Sequence, residues 1–236
     1  MSKLHRIILL TRIIVVKYIL EFCQSSASTE CMTIDCAPPP GSSTGVATVI
    51  RVSEVTPTAW RNGGGVTRRI ATGGVEPTDA GWTLSLADIE TRCQFSTFPG
   101  LVRTAVVVGD DPVDLTIDGF TRTLALLDRI TFSGEAEVHA EPTRRATRLL
   151  NLMTRRGSHE GTLSLRHLRG THPLGPDDGV ACVVLAGTLT VAGARLRRWD
   201  TILLDGAPIE AAGAATVAIV RIRPITAPST EEDTLS

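Results

Sequence analysis

The sequence predicts an all-β fold, two tandem jelly-roll-like β-barrels in one compact unit. Three observations carry that expectation. Short alternating or apolar runs recur between turn residues from about residue 46 onward, no long segment there keeps a 3.6-residue period, and two stretches of the chain share one rhythm. The chain has 236 residues, 42% of them hydrophobic, enough to build the core of one large β domain or two small ones.

The elements follow in order. "VATVIRVSEV" (46–55) alternates weakly, whereas "GWTLSLADI" (81–89) alternates well, with Trp82, Leu84 and Leu86 on one face and Thr83, Ser85 and Ala87 on the other. "TAVVVG", "VDLTI", "TLALL" and "AEVHAEP" continue the series, and Asp118-Gly119 between two of these runs signals a tight hairpin, because glycine tolerates positive φ. "LLNLMTRR" and "TLSLRHLRG" read as further strands. The order of strand, glycine turn and strand in 180–224 resembles that in 104–156, which divides the body into barrels at 46–157 and 158–225.

Both ends differ from this body. Lys3, Lys17 and Tyr18, the only lysines and tyrosine, lie in the first thirty residues. The opening "MSKLHRIILLTRIIVVKYILEF" has the outline of a signal peptide, but Arg12 and Lys17 interrupt its apolar run. Residues 1–45 are read as a non-domain extension, with Met32 as a candidate start, that ends in the linker "CAPPPGSSTG" (36–45). An atypical signal and an amphipathic membrane helix are the rival readings. Residues 226–236 are read as an acidic disordered tail.

A formal charge of −1 removes the electrostatic argument for nucleic acid or an anionic membrane as partner. Five cysteines without C-x-x-C spacing point to buried free thiols at Cys93 and Cys182 and to a reducing, cytoplasmic setting. No metal and no cofactor are expected, since His139, His159, His167 and His172 are irregularly spaced and nothing makes them converge.

The run "TAWRNGGGVTRRIA" (58–71) has the glycine content of a phosphate loop. It lacks both Gly-Lys-Ser/Thr and G-x-G-x-x-G spacing, and β-branched residues follow in place of a helix. Two readings stay open for it. Its glycines can let the backbone approach a ligand, with Asn62 and Arg61 or Arg68 as polar contacts, or they can form a tight turn at a barrel rim. In "CQFSTFPGLVRTAVVVG" (93–109), Phe95 and Phe98 can wall a pocket, and Arg103 opens an apolar strand. That arginine must snorkel, pair with Asp88 or Glu90, or face a ligand. Asn151 and Met153 share a strand face, and a buried Asn151 would need several hydrogen-bond partners.

Taken together, "WRNGGGVTRRIA", "WTLSLADI…FSTFPGLVRT" and "NLMTRRG" resemble the signatures of the HutD/Ves family, a bicupin-like group, across residues 50–157. Carried over by position, Trp60, Asn62, Thr67, Ser85, Phe95, Ser96, Phe98, Arg103, Asn151 and Met153 match its motifs; Arg68 joins them as a ligand-binding candidate. Departures occur at Leu149, at "RCQFS" and at Gly134-Glu135. The resemblance implies a non-catalytic protein that binds a small carboxylate and tunes histidine catabolism or a stress response. Two other readings remain beside it. One is a metal-free isomerase or hydrolase with Asp88, Glu90, Glu135 or His139 as base; the other is a structural module that forms homodimers.

Overall fold

The computed structural model describes residues 47–74 and 81–225; the expectations for the N-terminal extension, its linker and the C-terminal tail lie outside the described residues. Apart from one 3-10 turn at Val52–Glu54, the regular structure is all strand. In chain order these are β1 (Thr48–Ile50), β2 (Thr58–Ala59), β3 (Gly65–Gly73), β4 (Trp82–Ile89), β5 (Cys93–Gln94) and β6 (Leu101–Val107). Next come β7 (Val113–Ile117), β8 (Phe120–Leu124), β9 (Arg129–Ser133), β10 (Val138–Pro142) and β11 (Thr147–Arg155). The last five are β12 (His159–Leu174), β13 (Ala181–Val191), β14 (Ala194–Leu196), β15 (Thr201–Leu203) and β16 (Ile209–Pro224).

They form three antiparallel sheets. The first has the order β2-β3-β4-β11-β6-β9, and the second β5-β10-β7-β8. The third runs β1-β15-β13-β16-β12, with β14 also on β13. The first and second sheets enclose Ile89, Val107, Leu115, Leu124, Val138 and Leu149, the interior of the N-terminal half. The third curls over its own core of Leu168, Cys182, Val184, Leu196, Ile202 and Val217. Both halves are jelly-roll-like. The earliest strand, β1, pairs with β15, so the chain begins its body in the sheet of the second half.

A third core joins the halves. Leu84, Leu86, Val106, Leu150 and Leu152 of the first sheet pack with Leu163, Val183, Ala218 and Val220 of the third. The central strands β4, β11 and β6 of the first sheet are therefore covered on both faces. Their alternation sorts residues between two interiors, where the usual antiparallel sheet sorts core from solvent. That is why Leu84, Ser85, Leu86 and Ala87 are all buried in succession. The predicted hairpin lies between β7 and β8, with Asp118 at φ 47° and Gly119 at φ 85°, the pair of positive angles a two-residue primed turn needs.

The face toward the third sheet also carries charge. Arg68 Nη1 lies 2.5 Å from Asp88 Oδ2, and Arg148 Nε donates to Oδ1 of the same carboxylate. Arg148 stacks on Trp199 with its guanidinium carbon 3.8 Å from the ring centroid. One half-buried acid thus serves two arginines.

Two stability predictions follow from these packings. Leu150→Ala removes a fully buried side chain at the junction and should cost about 2–5 kcal/mol in urea denaturation. Asp88→Ala leaves two half-buried guanidinium groups facing each other and should cost roughly 1–3 kcal/mol, more than Arg68→Ala.

Candidate functional site

Register places the site. Across the first sheet Thr83, Met153, Arg103 and Phe132 stand in one row, and Ser85, Asn151, Ala105 and Ile130 in the next. Paired residues of adjacent strands share a face, so both rows point into the N-terminal interior. Arg103 is only 5% exposed and Asn151 1%. The arginine's Nε and Nη2 both donate to Asn151 Oδ1, at 3.1 and 3.0 Å. The Asn151 amide nitrogen reaches back to the Leu149 carbonyl at 3.5 Å.

Aromatic rings complete the enclosure. The guanidinium carbon lies 4.2 Å from the Phe95 ring centroid and 5.6 Å from that of Phe132. Trp60 meets Phe95 edge-on, with centroids 5.7 Å apart, and its indole N–H donates to Thr67 Oγ1 at 2.7 Å. One contact chain therefore runs from Thr67 through Trp60 and Phe95 to Arg103 and Asn151. Burial pulls the Arg103 guanidinium down to about 10, against the opposing influence of the Cys93 thiol, so it stays charged at neutral pH. Burial in turn pushes that thiol up to about 11, against the pull of Arg103. Among the described residues no carboxylate pairs with Arg103; Asp88, one partner the sequence offered, is held by Arg68 and Arg148 on the opposite face.

The glycine run is a clasp over this box. Gly63 takes φ 68°, which closes a turn from the Gly63 N–H to the Trp60 carbonyl at 3.0 Å. Gly64 passes so close to β5 that a Cβ there would lie 2.2 Å from the Cys93 Cβ. Asn62 fastens the clasp: its Nδ2 donates to the Gln94 carbonyl at 2.8 Å, and its Oδ1 accepts from the Gly64 N–H at 3.2 Å. The exposed Asn62 amide thus seats the loop on β5, and the ring of Trp60 is what the loop delivers to the buried site.

The structure brings together Trp60, Thr67, Ser85, Phe95, Arg103, Asn151 and Met153 on one side of the sheet. Arg68 is the correction. It stands next to Thr67, and alternation sends it to the other face, where it pairs with Asp88. Ser96 and Phe98 lie in the exposed rim loop, Phe98 at 37% exposure, outside the contacts that enclose the guanidinium. That loop is latched by Glu135, which accepts from the Gly100 N–H at 2.7 Å, from Arg156 Nη2 at 2.7 Å and from the Ser133 hydroxyl. The Gly100 bond first, then Ser133 and Arg156, hold its carboxyl down at about 2.

Sequence reasoning missed Phe132 and the place of Cys93. Phe132 faces Arg103 only through the β6–β9 register, and nothing local in "RITFS" signals it. Of the candidate bases, Glu90 and Glu135 are exposed, His139 lies on β10, and none of them or Asp88 bonds to Arg103 or Asn151. Among the described residues no three His, Cys, Asp or Glu side chains gather as a metal site, and no helix is long and apolar enough to cross a membrane.

Sequence and fold both have relatives among known proteins. The family model described as HutD matches residues 52–219. A Pseudomonas putida protein described as an uncharacterised 21.2 kDa protein in the hutC 3' region is 38% identical over 107 residues, 44% of this chain and 56% of that protein. Protein Ves of Escherichia fergusonii is 36% identical over 98 residues, 41% of this chain and 51% of Ves. The matched segments thus span about half the length of these curated relatives. Among solved structures, HutD from Pseudomonas fluorescens SBW25 (formate condition) superposes with a TM-score of 0.62 at 25% identity, over 75% of this chain and 100% of that one. A cupin 2 conserved barrel domain protein from Leptotrichia buccalis, 12% identical, superposes with a TM-score of 0.51 over 75% of this chain and 96% of that one, which establishes the likeness of fold alone. The fold is that of a bicupin, and with the family model covering most of its length the chain belongs to the HutD family.

Proposed function

We propose that this protein binds a small carboxylate-bearing molecule at Arg103 and acts as a binding protein in the control of a catabolic or stress response. The observation that carries the reading is a guanidinium 95% buried with no acid beside it. A charge in that position has lost most of its water and received one amide oxygen and two ring faces in return. Three of its five N–H donors have no hydrogen-bond partner among the described residues. An incoming carboxylate would restore charge balance and offer two acceptors to a planar fork that Asn151 has already oriented.

Ser85, 6% exposed, shares a register row with Asn151 and in this reading would bond the rest of such a ligand, with Phe95 and Phe132 as apolar wall. The names HutD and hutC carried by the relatives support a role beside histidine utilisation, for which urocanate and formylglutamate are the carboxylic acids to try. Catalysis finds less support, since the carboxylates and the histidine that could serve as base are all spent or placed elsewhere.

Thermal unfolding with formate, urocanate and formylglutamate tests the reading. A ligand present at about 100 times its Kd should add about 2.7 kcal/mol, which raises Tm by roughly 5–10 °C in a chain of this size. Arg103→Ala should abolish the response while keeping a cooperative transition. A Tm that none of the three acids moves would overturn the proposal. Asn151→Leu, which removes the oxygen that orients the fork, should weaken the same binding by about tenfold in calorimetric titration.

A further inference from the structure

A second feature lies far from Arg103 in the fold and rests on different observations. β12 is an edge strand of 16 residues, hydrogen-bonded to β16 on one side and to no strand on the other among the described residues. Its bonding parity is fixed by the next pair in register, where the Ile225 N–H donates to the Ser158 carbonyl at 2.8 Å. Even-numbered residues of β12 therefore bond to β16, and odd-numbered residues turn their N–H and C=O outward.

Side chains cap this open edge at two odd positions. Arg129 Nη1 donates to the Leu163 carbonyl at 2.6 Å. His172 Nε2 covers Arg169, lying 3.2 Å from its N–H nitrogen and 2.8 Å from its carbonyl oxygen. Between the caps, Leu165 and His167 have no such cover on their outward backbone groups. Leu165 is 41% exposed, and neither lysine nor proline, the residues that usually blunt an edge, occurs in β12 before Pro173.

The window is self-complementary. The two caps stand three residues either side of Arg166, and the two open residues one either side. A two-fold axis at Arg166 sets Leu165 of one copy opposite His167 of the other, and such a pair exchanges both backbone hydrogen bonds. The same axis sets the capped Leu163 opposite the capped Arg169, so the ladder stops where the caps stand. The two Arg166 side chains would meet across the axis, but each is neutralised within its own copy by Asp178, 2.9 Å away. On the face that Leu163 and Ala218 present toward the first sheet, Leu165 of the second copy would lie beside His167, at the margin of a concavity lined by Ala186, Gly187 and Ala214. Small residues there leave room for the leucine. We infer that two copies of this chain pair through β12, antiparallel and centred on Arg166, to form a sheet that continues from one protomer into the other.

Light scattering coupled to size exclusion on the full chain tests this. The expected mass is twice 25.1 kDa. Leu165→Lys places a charge at the window and His167→Pro removes an outward N–H that β16 does not use; both should give monomers with unchanged circular dichroism. Leu165→Lys decides the matter alone should the proline variant fail to fold. His172→Ala uncaps Arg169 and should tighten the dimer several-fold. A monomeric wild-type chain, or a dimer indifferent to Leu165→Lys, would overturn the inference.

Discussion

In one sheet of this protein, β2-β3-β4-β11-β6-β9, the central strands β4, β11 and β6 are covered on both faces, and strict alternation along them decides where each polar side chain can go. A sheet buried on one side can send its charges to solvent. Here every residue of β4, β11 and β6 goes either toward the third sheet or into the N-terminal interior, and a shift of one residue would exchange the two sets. The charged residues of this sheet are few, and their solutions differ by face.

Toward the third sheet, charge is paired with opposite charge. Asp88 accepts from Arg68 and Arg148, and Arg148 spreads its flat face on Trp199. Toward the N-terminal interior it is not. Arg103 has an asparagine oxygen and two phenyl rings, which orient it without neutralising it. Leaving a charge in that state is costly for stability alone, since an apolar residue of similar volume would fill the same space without the desolvation penalty. The glycine clasp seats the Trp60 ring against Phe95, and Phe95 in turn lies over the guanidinium. The proposed carboxylate would offset that cost, with the clasp and its rings as support for the arginine.

Much of this was legible in the sequence. Alternation in 81–89, the Asp118-Gly119 turn, the buried thiols and the motifs around Trp60, Arg103 and Asn151 all describe local chemistry, which a linear reading can see. The face of Arg68 was not legible, because composition does not reveal that both faces of β3 are spoken for by different neighbours. Phe132 was invisible for a related reason: it meets Arg103 through a pairing between β6 and β9, a contact that no spacing rule encodes. Asn62 could not be assigned from its chemistry, since the same amide that can greet a ligand can also tie a glycine turn to the neighbouring strand.

The central claim is that the buried Arg103 guanidinium is itself the contact for a carboxylate. Its side-chain Nε–H resonance, assigned in the folded protein by comparison with an Arg103→Lys variant, reports on that contact directly. Titration with formylglutamate should move this resonance downfield to a saturating value while the Arg68 and Arg148 signals stay in place. A ligand that binds with the Arg103 resonance unmoved, or that shifts only the Arg68 and Arg148 signals, would contradict the account.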